Sequence, residues 1–362
     1  MQREDAIVNE LCVDAVFTGS KPFYKETAQR WLYRKPNLIW KLVILVALGI
    51  GGMYICISGV DKRVAYYREM ISLTANNEIW TKGPCSKVNV AEMFSLHYFR
   101  ESRLKRDECG CKPTNYFVIL SMQRSGSGWF EALLNSHPNI SSHGEIFSVE
   151  RRRKSVTTMI PTLSTVYNLD WVSSASKNHC VTAVGLKWML NQGVMEYKSE
   201  IAAYLKKNSI SIIFLFRRNL VRRYISILAN SFDQVAKQIN GRHFAHVHSE
   251  EEAKVLAAYK PVVNLTFLIP YLKRVEEIIV DAQDSFKEIR HMTVYYEDLV
   301  SNQKKELRRV QKFLGVKPTQ LNSQHVKVHT QPLQEQINNW KELEEFLKGT
   351  RYEIFLRGKD YG

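Results

Sequence analysis

Zinc-ligand spacings, arginine-rich blocks and interleaved aromatic and basic residues are missing from this 362-residue chain. Their absence argues against zinc modules and the usual nucleic-acid signatures, so neither a metal nor a nucleic-acid partner is expected. No internal repeat and no low-complexity tract occurs, which excludes a repeat architecture. No Asp-x-Asp pair occurs either; that counts against a metal-dependent glycosyltransferase and leaves other glycosyltransferases open. Cysteine is sparse, at six residues. Cys109-Gly110-Cys111 is no metal knuckle, because no second ligand pair follows it at the required spacing.

What is present begins with charge. The formal net charge is +15, and 45% of residues are hydrophobic. That combination allows a sizeable core and suits an acidic ligand, a membrane surface or simply a solvated basic exterior. Leu42 to Val60 holds no charge over 19 residues, about 28 Å as a helix and close to the hydrocarbon thickness of a bilayer. Four basic residues precede it (Arg30, Arg34, Lys35, Lys41) and three follow (Lys62, Arg63, Arg68), a small positive-inside bias. The expected organisation is a cytosolic tail at 1–37, a transmembrane signal anchor at 38–60, a stem at 61–112 and a globular domain at 113–362. That organisation implies a single-pass type II protein whose expected partners include the lipid bilayer. In that topology Cys12 is cytosolic and Cys56 lies in the membrane. Cys85, Cys109, Cys111 and Cys180 are then luminal and permit two disulfides in any of three pairings. Asn139-Ile140-Ser141 and Asn264-Leu265-Thr266 are glycan acceptor sequons.

From Pro113 onward the pattern alternates between strand and helix. Apolar runs at 116–121, 181–186, 210–216 and 292–296 read as buried strands. Helices are expected at 128–136, 196–207, 219–232 and 304–314, and at 335–348 on the surface. A helical stretch from Glu250 to Asp281 is interrupted by Pro261 and Pro270. The alternation predicts an α/β fold: a P-loop-like, three-layer αβα domain around a central parallel sheet.

Two loops carry chemistry. The first, Gln123-Arg124-Ser125-Gly126-Ser127-Gly128-Trp129, joins a strand to a helix. Backbone N–H groups at such a helix start bind phosphate oxygens, and Gly126 and Gly128 let the backbone approach closely. Arg124 adds a guanidinium able to fork onto two oxygens. The loop lacks the lysine of a Walker A motif, which argues against a kinase or GTPase. An ordinary βα turn would carry similar residues. The second loop leaves Phe216 through Arg217-Arg218-Asn219, with Ser226 eight residues after Arg218. Two arginines ending a buried strand call for an anionic partner, in a ligand or in a salt-bridged surface turn.

With both loops in order, the chain resembles the sulfotransferases that use 3′-phosphoadenosine-5′-phosphosulfate (PAPS). In that family the first loop cradles the 5′-phosphosulfate, matched here by Gln123 to Trp129. An arginine with a serine eight residues on holds the 3′-phosphate, matched by Arg218 and Ser226, although Leu220 stands where proline is common. Tyr296-Glu297-Asp298-Leu299 and Phe313-Leu314-Gly315-Val316 also resemble family segments. The chain is most similar to carbohydrate sulfotransferases of the nodulation-factor and glycolipid type, through His143-Gly144-Glu145-Ile146-Phe147, Gly185-Leu186-Lys187-Trp188-Met189 and the region around Trp340 and Tyr352. The resemblance covers roughly residues 115–355.

It implies PAPS as co-substrate, with Arg124, Ser125, Gly126, Ser127, Gly128, Trp129, Arg217, Arg218 and Ser226 binding it. Glu145 is the implied general base and His143 the alternative. Arg124 and Lys187 stabilise the charge that develops during transfer. Arginine at 124 departs from the lysine of many relatives and cannot easily donate its proton. The implied partners are a nucleotide sulfate donor and a carbohydrate or glycolipid acceptor; the implied location is the Golgi membrane. Two other readings use the same residues: a type II membrane glycosyltransferase, and an inert scaffold that keeps the fold.

Overall fold

The computed structural model describes residues 114–167, 181–241, 243 and 247–357. The apolar span, the stem and all six cysteines lie outside them. Among the described residues no helix is long and apolar enough to cross a membrane.

Five strands form one sheet: β1 (Asn115–Ser121), β2 (Ile140–Ser142), β3 (Ala183–Met189), β4 (Ser211–Phe216) and β5 (His291–Tyr295). Their order is β2-β3-β1-β4-β5, and every pairing is parallel. The longer helices are α1 (Ser127–Asn135), α2 (Val156–Tyr167), α3 (Lys198–Lys207), α4 (Leu220–Ala236), α5 (Glu250–Ala257), α6 (Leu265–Ser285), α7 (Tyr296–Ser301), α8 (Gln303–Phe313) and α9 (Trp340–Leu347).

Strand periodicity sorts the apolar side chains onto two faces. Val118 and Leu120 of β1, with Leu186, Trp188 and Phe214, join a core completed by Leu163, Leu205, Val221 and Leu272. Phe117 and Ile119, with Ile213, Leu215 and Val294, join a second core with Phe130, Leu133, Leu307 and Val310. Helices therefore cover both faces, giving three layers. A parallel sheet covered on both sides explains why every residue of β3 and β4 is buried and why, Lys187 and the first serine of β4 aside, no charged or hydroxyl residue interrupts them. The tight β1–β3 contact needs Gly185, since a Cβ there would lie 2.5 Å from the carbonyl oxygen of Phe117.

The connectivity makes a crevice. From β1 the chain crosses to β2 on one side; from β4 it proceeds to β5 on the other. The carboxyl ends of β1 and β4 are thus the topological switch point, where ligands of open α/β sheets bind. Their register sets Ser121 against Leu215, and the Ser121 hydroxyl donates to the Leu215 carbonyl at 2.7 Å. The loop after β1 and the loop after β4 leave side by side.

Three elements differ from the expected pattern. β2 is an edge strand of three residues, two of them serine, too short and polar to register as an apolar run. α2 was not expected: Met159, Leu163 and Val166 fall at helical spacing, but Pro161 stands inside it among many β-branched residues, both poor signals for a helix. The predicted break at Pro270 does not occur: α6 runs through it. Pro270 is the sixth residue of that helix, where its missing N–H removes a single backbone bond. Pro261 lies between α5 and α6.

Candidate active site

A cavity of about 380 Å³ lies at the switch point. The β1 loop supplies Gln123, Arg124, Gly126, Ser127, Gly128 and Trp129 to its wall. The β4 loop supplies Arg217. Helix α4 supplies Arg222, Ser226, Asn230 and Gln234, spaced by four and therefore on one helix face. Glu145, Tyr296 and the segment 325–329 complete it.

The β1 loop is shaped for an anion. Arg124 and Gly126 both have left-handed backbones, at φ 63° and 79°, and α1 starts at Ser127. Successive N–H groups at such a turn form a concave donor set at the positive end of a helix. Gly126 is required: besides its φ, an added Cβ would fall 2.4 Å from Cδ2 of Tyr296. Tyr296 roofs the loop, with Trp129 edge-on at 6.1 Å and the Arg217 guanidinium 4.9 Å from its ring centroid. Ser125 is buried, and its hydroxyl has no hydrogen-bond partner among the described residues.

The side chain of Arg124 crosses the cavity to α4. Its Nε donates to Ser226 Oγ at 2.9 Å and its Nη1 to Asn230 Oδ1 at 3.2 Å. Burial, then repulsion from Arg217, depress its pKa to about 10. His329 is held down to about 4, by burial first and then by Arg124, Arg217 and Arg222. Lys327 is lowered by burial and by Arg217. These shifts have one physical source: several cations crowd a partly dehydrated space, and a multiply charged anion would relieve them.

A carboxylate stands at the other side. Glu145 Oε1 lies 3.3 Å from Lys187 Nζ, and its Oε2 accepts from Gln192 Nε2 at 3.0 Å. Lys187 is 5% exposed and also pairs with Glu131 at 3.2 Å. Glu131, 8% exposed, accepts the Ser142 hydroxyl at 2.5 Å and the Gly144 N–H at 2.8 Å. A buried chain of alternating charge thus runs from α1 through β3 to the loop that carries Glu145.

The structure brings Arg124, Gly126, Ser127, Gly128, Trp129, Glu145, Arg217 and Ser226 to one cavity. Other expected residues sit elsewhere. Lys187 lies behind Glu145 in the ion-pair chain. His143 is not in the lining; its backbone N–H donates to Gly185 O at 3.0 Å. Arg218 also lies outside. Its Nη1 and Nη2 grip Asp298, the second at 2.8 Å, and its guanidinium is 3.8 Å from the Tyr295 ring centroid. The Asp298 hydrogen bond raises its pKa. The backbone N–H groups of Arg218 and Asn219 both donate to Glu297, so Arg218 belongs to the brace that fixes the loop. Asn219 caps α4 by accepting the Arg222 N–H at 2.9 Å.

Sequence reasoning missed Arg222, Asn230, Lys327 and His329 as cavity residues. The four-residue spacing from Arg222 through Ser226 to Asn230 was a usable signal. Segment 325–329 alternates, His325-Val326-Lys327-Val328-His329, a pattern that sets its three polar side chains on one face but does not say which cavity that face meets. Among the described residues no group of three or more His, Cys, Asp or Glu could hold a metal ion.

An anion cradle at a βα turn, a second arginine loop and a carboxylate facing both define a group-transfer site, and comparison with known proteins names the class. The sulfotransferase domain family matches residues 114–352, so the chain belongs to that family. It is similar to nodulation protein H of Rhizobium meliloti, 25% identical over 242 residues that cover 64% of this chain and 90% of that protein. Nodulation protein H of Rhizobium tropici is 24% identical over 248 residues, covering 67% and 94%. Among solved structures, a sulfotransferase from Alicyclobacillus acidocaldarius aligns over 68% of this chain and 96% of its own, at 13% identity and a TM-score of 0.34. The protein is a sulfotransferase.

Proposed function

We propose that the enzyme transfers a sulfuryl group from PAPS to a hydroxyl of a carbohydrate or glycolipid acceptor. The observation that carries this reading is the shared cavity: Arg124 of the first loop touches Ser226 of α4, and Glu145 opens onto the same space. In this reading the 5′-phosphosulfate lies on the N–H groups of residues 125–128, beside Arg124. The 3′-phosphate lies toward Arg217 and Ser226, with Arg218 bracing their loop. Similarity to the nodulation proteins supports a carbohydrate-type acceptor.

The acceptor oxygen attacks sulfur in line. An S–O bond forms to the acceptor, and the S–O bond to the nucleotide's bridging oxygen breaks. The acceptor proton passes to the Glu145 carboxylate, which Lys187 and Gln192 hold in position. Glu145 is preferred to His143 as the base because Glu145 lines the cavity and His143 does not. Negative charge grows on the departing phosphate, which in this reading rests on the loop N–H groups with the Arg124 charge beside it. Arg124 acts there as a fixed charge; with a pKa of about 10 it stays protonated at neutral pH.

The apolar span at 42–60 and the flanking charges support a type II anchor, and the Golgi is the compartment that fits the reading. The full-length chain, incubated with radiolabelled PAPS and a panel of neutral sugars, acidic sugars, glycolipids and tyrosine peptides, tests the proposal. Label on sugar hydroxyls is expected. Label only on tyrosine, or none, would contradict the acceptor assignment.

A further inference from the structure

The cavity changes character along α4. Arg222 and Ser226 are buried, Asn230 is half-buried and Gln234 is exposed. The helix rises about 18 Å from Arg222 to Gln234, so the cavity is deep at one end and open at the other. The deep end is cationic: His329 is crowded by Arg124, Arg217 and Arg222, and Lys327 by Arg217. Arg124 reaches outward as far as Asn230. Beyond it, the described lining on this helix and the turn that follows is Ser231, Gln234 and His243, with no lysine or arginine.

His243 reaches the cavity by a folded-back turn. α4 ends at Ala236, and Lys237, Asn240 and Gly241 follow with φ 48°, 49° and 69°, backbone that lysine adopts only at a cost. Buried Asp233 fixes the turn. Its Oδ1 accepts the Gln238 N–H at 3.1 Å, and its Oδ2 lies 2.6 Å from His243 Nδ1. An ionised carboxylate only accepts, so Nδ1 carries the proton of that bond. The tautomer of the neutral ring is thereby set, and Nε2 keeps its lone pair. The imidazole is partly exposed and lines the cavity. An imidazole oriented by a buried carboxylate is an acceptor held ready for an O–H group. Asn230, whose Oδ1 holds Arg124, and Gln234 add amide N–H donors on the same helix.

We propose that the open end is an acceptor subsite for an uncharged sugar, and that His243, held by Asp233, selects it by accepting a hydrogen bond from a sugar hydroxyl at Nε2. The inference rests on the carbohydrate-acceptor reading and names the residue that reads the acceptor. A donor lying on the cationic end leaves the open end as the acceptor's way in. A sugar carboxylate there would meet the Asp233 charge behind the imidazole, and beyond Arg124 no lysine or arginine of the described helix lining.

Saturation-transfer NMR on the full-length chain in detergent, its nucleotide site filled with 3′,5′-adenosine bisphosphate, tests it. Lactose, N-acetyl-D-glucosamine and methyl α-D-mannoside serve as neutral probes and D-glucuronate as the acidic one. At least one neutral probe is expected to bind, and more tightly than glucuronate. H243A should weaken that probe by about three- to tenfold, the scale of one hydrogen bond, with bisphosphate affinity unchanged. H243Q, whose amide restores an accepting oxygen, should recover part of the loss. A histidine that only packs the turn would cost both ligands or neither. With isotope-labelled histidine, the ring signal missing from H243Q should report a proton on Nδ1 and shift at Nε2 when the probe is added. Tighter binding of glucuronate, an H243A chain equal to wild type, or a parallel loss of probe and bisphosphate would overturn the subsite. Turnover separates the two readings. A chain that sulfates a sugar with its acceptor KM unchanged in H243A overturns the subsite and leaves the carbohydrate reading standing. A chain that binds and sulfates no sugar overturns both.

Discussion

Arg124 Nε donates to the hydroxyl of Ser226 at 2.9 Å, across 102 positions of sequence. The contact joins the turn after β1 to the helix after β4 at the sheet's switch point. It also means that the two loops proposed to grip phosphate share one continuous surface. A nucleotide with phosphates at both ends would span them, replacing mutual repulsion among the cations by attraction.

The two adjacent arginines of the β4 loop are predicted to behave differently. Arg217 lines the cavity, whereas Arg218 is spent on Asp298. Arg217→Ala should weaken binding of 3′,5′-adenosine bisphosphate by roughly tenfold to a hundredfold, the scale for losing charged hydrogen bonds. Arg218→Ala should change that affinity far less and act on stability by at most about 1 kcal/mol, since its ion pair is partly exposed. Calorimetric titration and thermal melting of both variants distinguish them; the reverse ranking would move the 3′-phosphate grip to Arg218.

Glu145 and Glu131 are both carboxylates on Lys187, and they should separate in kinetics. Glu145→Gln is expected to lower kcat by roughly 10²–10⁴, the range for a general base, with donor affinity unchanged. Glu131→Gln leaves the buried Lys187 with Glu145 as its remaining carboxylate partner and should destabilise the fold by about 1–3 kcal/mol. Urea unfolding together with steady-state kinetics checks both. Full turnover in Glu145→Gln would remove Glu145 from the chemistry.

Acid should weaken the fold through His329. Its folded pKa is about 4 against an ordinary 6.5. Between those values the unfolded chain binds a proton that the folded chain refuses, so stability is complete above pH 6.5 and falls as pH drops toward 4. Replacing His329 by Asn should flatten that part of the stability profile. An equally steep loss between pH 6.5 and 4 in the variant would contradict the assignment.

Gly126→Ala should damage the cradle. Alanine at φ 79° costs about 1–2 kcal/mol, and its methyl meets Tyr296. Lower melting temperature and weaker nucleotide binding are expected. Tyr296→Ala in the same chain should relieve the clash but not the backbone strain. Normal binding by Gly126→Ala alone would show that the loop is looser than its contacts indicate.

Much of the fold was legible because β1, β3 and β4 are buried on both faces along most of their length and so appear as largely apolar runs bounded by turns, while β5 alternates between buried and more exposed residues; β4 begins within one residue of the expected start and ends where expected. β2 and α2 were not: β2 is three residues, two of them serine, and in α2 Pro161 and the β-branched residues around it mask the helical spacing of Met159, Leu163 and Val166. Within the site, glycine and arginine identities marked the cradle. The direction of a side chain was not readable: Arg217 and Arg218 are neighbours of the same type, and only the position of Asp298 turns one of them away. Lys327 and His329 reach the cavity through the path of the chain around Val247, to which Val326 is bridged, a contact 79 residues apart in sequence that leaves no local mark.

Calorimetric titration of 3′,5′-adenosine bisphosphate and of AMP into the full-length chain tests the central claim most directly. The account predicts saturable binding of the bisphosphate, at least about tenfold tighter than AMP, with that advantage lost in Arg217→Ala and the overall affinity reduced in Arg124→Gln. No binding heat, or equal affinity for the two nucleotides, would contradict a single cavity that grips both phosphate ends.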